Sequence, residues 1–152
     1  MITAVELRAA INTLLKKHFP AYKVHFDNVE RANQSYFYVW LSPRSKTIDR
    51  VYYDRTIDID IQLVLLKDCK GRVKRSLLYD AIDKLDVALR PVLQIGDRFI
   101  TISSTNSVIV DEILHYEFSL DFTDVLPVEE VGELMQELYL NGNLQDLNYE
   151  EV

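Results

Sequence analysis

Cysteine, glycine and proline are scarce in this chain of 152 residues, which contains one, four and four of them respectively. The single cysteine, Cys69, excludes an intrachain disulfide, and we expect a reducing, cytoplasmic setting. The glycines are scattered, whereas a Walker loop or a dinucleotide-binding loop needs them clustered around a phosphate. No apolar run approaches the roughly 20 residues that a membrane helix requires. These absences favour one soluble globular domain without a nucleotide site.

Basic residues are missing from the last part of the chain. Residues 125–152 carry seven acids and no Lys or Arg, whereas residues 1–124 carry seventeen of each sign, so the formal charge of −7 resides in the tail. Tight nucleic-acid binding depends on a basic footprint and is therefore disfavoured. We predict a single α+β domain over residues 1–124, followed by an acidic helix and a loose tail over residues 125–152.

The hydrophobic pattern predicts a mixed, mainly antiparallel sheet of about five or six strands. Two amphipathic helices are expected on one face of this sheet. The first is capped by Thr3 with Glu6 and has an apolar stripe of Val5, Ala9, Ile11, Leu14 and Leu15, and the second covers residues 73–89. The clearest strand lies within residues 52–66, where isoleucine and leucine alternate with polar residues. A further strand is predicted over residues 108–122, after a polar hairpin at residues 103–107.

One group of acidic residues could form a reactive site. Asp58 and Asp60 share one strand face and could hold Mg²⁺ if Asp111 or Glu117 lay opposite, which would suit a metal-dependent hydrolase. We favour the simpler interpretation of a solvated strand face. No catalytic residue, metal ligand or cofactor site is predicted, and Cys69 is interpreted as a surface thiol.

Charged and aromatic surface segments favour contacts with other proteins. Residues 43–55 combine arginine and tyrosine, which are enriched at binding hot spots, and residues 67–75 form a second basic loop. The apolar face of the acidic tail helix could cover the domain's own core or bind a neighbour. The candidate partner-binding residues are Arg44, Lys46, Arg50, Tyr52, Tyr53, Arg55, Lys70, Arg72, Val131, Leu134 and Leu138. An ordinary charged hairpin is the alternative interpretation of residues 43–55.

Several segments together resemble the small tail terminator proteins, also called minor tail or tail-completion proteins, of bacteriophages and prophages, particularly those of Gram-positive hosts. They are the opening helix ITAVELRAAINTLLKKHFPAYKVH, the strand SYFYVWL, the basic hairpin leading into RTIDIDIQLV, the helix LLYDAIDKLDVALRPV, and the strand VDEILHYEFSLDF with its acidic end. The similarity lies in the order and length of these segments and in their general residue pattern, and it spans nearly the whole chain.

This resemblance implies a virion structural protein without catalytic residues. It implies a ring, usually a hexamer, that caps the tail tube at the neck end and offers a surface to the head connector after assembly in the host cytoplasm. Arg50, Tyr52, Tyr53 and Arg55 match positions that could face partners, and Asp111 and His115 match without an assigned role.

One further expectation is that Asp58 and Asp60 line the ring's channel, so that DNA passes through without specific binding. The alternatives left open are another head–tail joining protein of the stopper or connector type, the metal-dependent hydrolase, and a monomeric cytoplasmic adaptor.

Overall fold

The computed structural model of the chain describes residues 1–29 and 33–127. A five-stranded sheet has the strand order β1-β2-β3-β7-β6, and a separate hairpin pairs β4 with β5. β1 is parallel to β2, and the other pairs are antiparallel. The elements are α1 (Ala4–His18), β1 (Lys23–His25), β2 (Tyr36–Thr47), β3 (Tyr52–Val64), α2 (Arg75–Leu89), β4 (Val92–Ile95), β5 (Arg98–Thr101), β6 (Thr105–Val110) and β7 (Ile113–Val125). The predicted α+β class with a mainly antiparallel sheet is confirmed, and the predicted C-terminal helix lies outside the described residues.

The start of α1 is fixed by local hydrogen bonds that its sequence predicts. The Thr3 hydroxyl accepts from the Glu6 amide at 3.2 Å, and the Glu6 carboxylate accepts from the Thr3 amide at 2.7 Å. These reciprocal bonds satisfy two amides that a helix end leaves free. Because both backbone and side-chain bonds from Thr3 favour the charged carboxylate, the pKa of Glu6 lies below its usual value.

The core lies between the two helices and one sheet face. In α1 the buried residues are Leu7, Ile11 and Leu15, spaced four apart, while Val5 is 73% exposed. The prediction that Val5 and Ala9 belong to the buried stripe is therefore wrong, because the buried stripe is centred on the other side of the helix. α2 buries Leu78, Ala81, Leu85 and Leu89 in the same core.

Strand alternation separates a buried sheet face from a polar one, as predicted for β3 and β7. The odd-numbered residues of β3 from Ile57 to Leu63 and the even-numbered residues of β7 from Leu114 to Leu120 are buried. Ile59 lies opposite Phe118, and Ile61 lies opposite Tyr116. The Tyr116 hydroxyl reaches α2 and donates to Asp86 at 2.6 Å. Burial and this bond to a carboxylate both raise the pKa of Tyr116.

Two predictions about loops were wrong. The expected strand over residues 108–122 is two strands, β6 and β7, joined at Asp111 and Glu112, and residues 103–107 are not the hairpin turn. Both linking residues have positive φ, 49° and 64°, as a two-residue type I′ turn requires. Residues 43–47 belong to β2, so only residues 48–51 connect it to β3. Neither described helix is long and apolar enough to cross a membrane.

Candidate functional site

The polar sheet face consists of the even-numbered residues of β3 and the odd-numbered residues of β7, together with their neighbours on β2 and β6. Strand register places these side chains in rows across the sheet. One row joins Trp40, Asp60, Glu117 and Asn106. A cavity of about 350 Å³ lies above it, and Trp40 beside it is 58% exposed. Asp58 and Asp60 are half-buried on this face, and Glu117 and Asp121 are exposed.

Asp58 is held by two partners on this face. The Arg44 guanidinium donates to its Oδ2 at 2.7 Å, and the Ser119 hydroxyl donates to its Oδ1. The side chains of Arg44 and Asp58 are 67% and 42% exposed, so this ion pair is screened by water and contributes little to stability. Asp58 is thus neutralised locally by a residue that was predicted to bind partners.

Asp60 lies in a second polar cluster one row along the sheet. Its Oδ2 accepts from Gln62 Nε2 at 2.7 Å and lies 3.0 Å from His115 Nδ1. Glu117 lies directly opposite Asp60 and accepts from Asn106 Nδ2 at 3.2 Å. Asp60, His115 and Glu117 each have one potential metal-ligand atom within 4.8 Å of the others. Within residues 1–29 and 33–127 no other group of three such residues is found.

This geometry corrects the metal site considered from the sequence. Of the four acids proposed there, only Asp60 and Glu117 come together. Asp58 is directed to Arg44 and Ser119, and Asp111 sits in the β6–β7 turn. His115 takes the third position, because it lies two residues before Glu117 and therefore on the same strand face.

The basic hairpin, residues 43–55, divides into an outward and an inward part. Arg44, Lys46 and Arg50 are exposed, and Tyr52 is 48% exposed. Tyr53 is only 7% exposed, so its ring contributes to the interior of the domain rather than to its surface.

Arg55 also serves the domain itself, since its guanidinium donates to the Ile2 carbonyl. Because side chains alternate along a strand, Tyr53 and Arg55 share the inward face of β3, whereas Tyr52 points outward.

Asp49 shapes the tip of the basic hairpin. Its Oδ1 accepts from the amides of Val51 and Tyr52, both at 2.7 Å. These backbone bonds stabilise the charged form of Asp49 and so lower its pKa, and the bond from Tyr52 has the larger effect. The tip therefore presents Ile48, which is 54% exposed, and Arg50 in one defined turn.

The second basic loop ends at residue 74, one residue earlier than predicted, because Arg75 begins α2. Asp68 organises this loop. Its Oδ1 accepts from the amides of Lys70 and Arg72 at 2.9 and 2.8 Å, and Gly71 takes a positive φ of 73°. Lys70 and Arg72 are exposed, as is Cys69. The remaining predicted partner-binding residues, Val131, Leu134 and Leu138, lie outside the described residues.

Sequence reasoning missed the buried carboxylate of Asp124, which is 3% exposed. It accepts from the Ile2 amide at 2.6 Å and pairs with the N-terminal ammonium at 3.5 Å and with Arg98 at 3.3 Å. Residue 124 occupies a core-facing position of β7. An acid at such a position in the strand pattern could have indicated a buried, paired carboxylate. The contacts bind the N-terminus to the end of the sheet.

Comparison with known proteins decides the family. A family model described as "Phage tail terminator protein" matches residues 6–132. The chain belongs to the phage tail terminator family. The resemblance drawn from the sequence is confirmed, and the chain is a structural component of the phage tail with a role in its assembly. The family is one of structural proteins rather than enzymes.

Similarity to individual proteins is weaker. No curated protein matches the chain. Fifteen chains of solved structures match, and one of them is 19% identical, covering 86% of this chain and 100% of its own, with a TM-score of 0.44. A similarity at that level supports no conclusion about the fold or function of this chain.

Proposed function

We propose that the chain ends tail assembly by forming a ring on the last layer of the tail tube and then joins the tail to the head connector. The observation that carries this proposal is the family match over residues 6–132. The neck end of the tail is the place where these two contacts would be made, and a ring of six subunits is the arrangement we expect.

The basic hairpin is the surface we assign to these contacts. Beyond Tyr38 the outer edge of β2 is paired with no other strand of the described residues, since β1 pairs only with residues 36–38. Arg44 and Lys46 lie along this edge, and Arg50 lies at the tip. Pro43 lacks a backbone N–H, and proline on an edge strand discourages uncontrolled strand pairing. The edge therefore favours side-chain recognition over extension of the sheet.

The second basic loop gives a separate candidate contact. Because Asp68 orders its backbone, Lys70 and Arg72 are held in place with a small loss of conformational entropy on binding. An acidic surface is the complementary partner for either basic segment. The acidic residues 128–152 of a neighbouring subunit meet that description by charge.

The polar sheet face is the surface we assign to the channel. By strand register it carries five acids, Asp54, Asp58, Asp60, Glu117 and Asp121, and two basic residues of β2, Arg44 and Lys46, of which Arg44 pairs with Asp58. A net acidic wall repels phosphates, so DNA would pass without binding.

Tail length measured by electron microscopy tests the capping role. Replacing Lys46 and Arg50 with glutamate in the phage should weaken the contact and yield tails longer than wild type or tails without heads. Lys16→Glu with Lys17→Glu, which changes the same charge at the exposed end of α1, is the matched control. Normal tails from the hairpin variant would contradict the assignment of the hairpin. Binding of the purified chain to connectors but not to tubes would favour a stopper protein instead.

DNA ejection tests the channel assignment. Asp58→Lys with Asp60→Lys should slow ejection while tail length stays normal, because the new charges would attract phosphates. Asp83→Lys, on the exposed side of α2, is the control for added positive charge. Unchanged ejection from the double variant would place these acids away from the channel.

A further inference from the structure

The cluster of Asp60, His115 and Glu117 joins the two central strands of the sheet. Register places Asp60 of β3 directly opposite Glu117 of β7, and His115 precedes Glu117 by two residues on the same face. One donor atom from each residue lies within 4.8 Å of the others. Three side chains from two paired strands are thus close enough to bind one ion together.

One buried carboxylate oxygen of this cluster has no hydrogen-bond partner in the part of the chain that the structure describes. Asp60 uses Oδ2 for both Gln62 and His115, whereas Oδ1 is hidden from solvent and finds no hydrogen-bond partner among residues 1–29 and 33–127. A carboxylate oxygen in that situation is costly, because it has lost water and gained nothing. A cation bound at the cluster would give this oxygen a counter-charge.

The donor set narrows the class of cation. An imidazole nitrogen with two carboxylates suits first-row divalent ions such as Zn²⁺ and Mn²⁺, whereas Mg²⁺ prefers oxygen ligands and retains its water. The adjoining cavity of about 350 Å³ leaves room for water to complete the coordination. Gln62 and Asn106 donate to the carboxylates and would orient them.

We propose that Asp60, His115 and Glu117 form a binding site for a divalent transition-metal ion, with Zn²⁺ preferred. The ion would link β3 to β7 and reduce the negative charge of the polar sheet face. The site is structural, and it stands independently of the proposed ring, since all three ligands come from one chain.

Calorimetric titration of the full chain with Zn²⁺ alone at neutral pH tests the site. We expect one ion per chain, and affinity at least about tenfold weaker in His115→Gln and in Glu117→Gln. Asp121→Asn is the matched control, because Asp121 lies on the same face of β7 but bonds to Thr56. Its affinity should equal that of the wild type.

Co²⁺ provides a second measurement, because an ion held only by electrostatic attraction would not show the absorption bands of a coordinated one. Bound to the imidazole and carboxylates, Co²⁺ should show visible absorption bands that His115→Gln abolishes in a variant whose circular dichroism is unchanged. Absence of both heat and bands in the wild type would overturn the proposal. Binding that His115→Gln leaves intact, or that Asp121→Asn weakens equally, would overturn it as well.

Discussion

At the scale of single residues, Asp124 couples the stability of the domain to pH. Burial alone would raise the pKa of its carboxyl, but two backbone amides and two positive charges outweigh burial and hold the pKa below its ordinary value of 3.8. The charged form is therefore more stable in the folded chain than in the unfolded chain. Its contribution is complete above pH 3.8 and is lost as pH falls towards the native pKa.

We expect Asp124→Asn to lower the free energy of unfolding by about 1 to 3 kcal/mol at neutral pH, since the N-terminus and Arg98 lose their counter-charge. The loss should shrink in acid, as the wild type itself becomes protonated. Urea unfolding at pH values above and below 3.8 measures both effects. Asp97→Asn, in the exposed β4–β5 turn, is the control, and an equal loss at all pH values would contradict the assignment.

The hydroxyl of Tyr116 makes a second residue-scale prediction. Tyr116→Phe removes its bond to Asp86 while keeping the buried ring, so that among the described residues the Asp86 carboxylate keeps one side-chain hydrogen bond, from the Thr105 hydroxyl at 3.3 Å. We expect a loss of about 1.5 to 3 kcal/mol, the range for hydrogen bonds to charged groups. Chemical denaturation measures it against Tyr79→Phe, whose ring is 54% exposed and which should change stability by less than about 0.5 kcal/mol.

At the scale of elements, local sequence patterns predict single helices and strands, whereas contacts that depend on the pairing of distant strands are missed. The capping box of α1 and the alternation of β3 and β7 are local signals, and both are confirmed. The β6–β7 turn has neither glycine nor asparagine, so the apolar end of β6, residues 108–110, and β7 were predicted as one strand. The contacts of Asp58 with Arg44 and of Asp60 with His115 depend on register between distant segments, which periodicity does not specify.

The turn between β6 and β7 stores strain that a substitution should release. Glu112 has a φ of 64°, a conformation that costs side chains with a Cβ about 1 kcal/mol and costs glycine little. Glu112→Gly should therefore raise the melting temperature, whereas Glu112→Ala should not. Thermal unfolding followed by circular dichroism compares them, and a lower melting temperature for the glycine variant would show that Glu112 gains more from its side chain than it loses from its backbone.

At the scale of the whole molecule, charge is divided between a neutral body and an acidic end. All seven excess negative charges lie in residues 128–152, outside the described residues, while the basic hairpin and the second basic loop lie in the body. This division suits the proposed ring, in which the acidic end of one subunit would meet a basic surface on the body of the next.

Removal of residues 128–152 tests that arrangement. The shortened chain should keep the circular dichroism of the folded domain, because the core described above is built from residues 2–120. It should lose self-association or tube capping, measured by sedimentation over a range of concentrations and by electron microscopy of tubes. A variant with the acids of this segment changed to their amides separates charge from apolar contact. If only the deletion abolishes association, apolar side chains such as Val131, Leu134 and Leu138 carry the contact, and if both do, charge carries it. Association that survives the deletion would exclude the segment from the interface and leave the two basic surfaces to bind elsewhere on the neighbouring body.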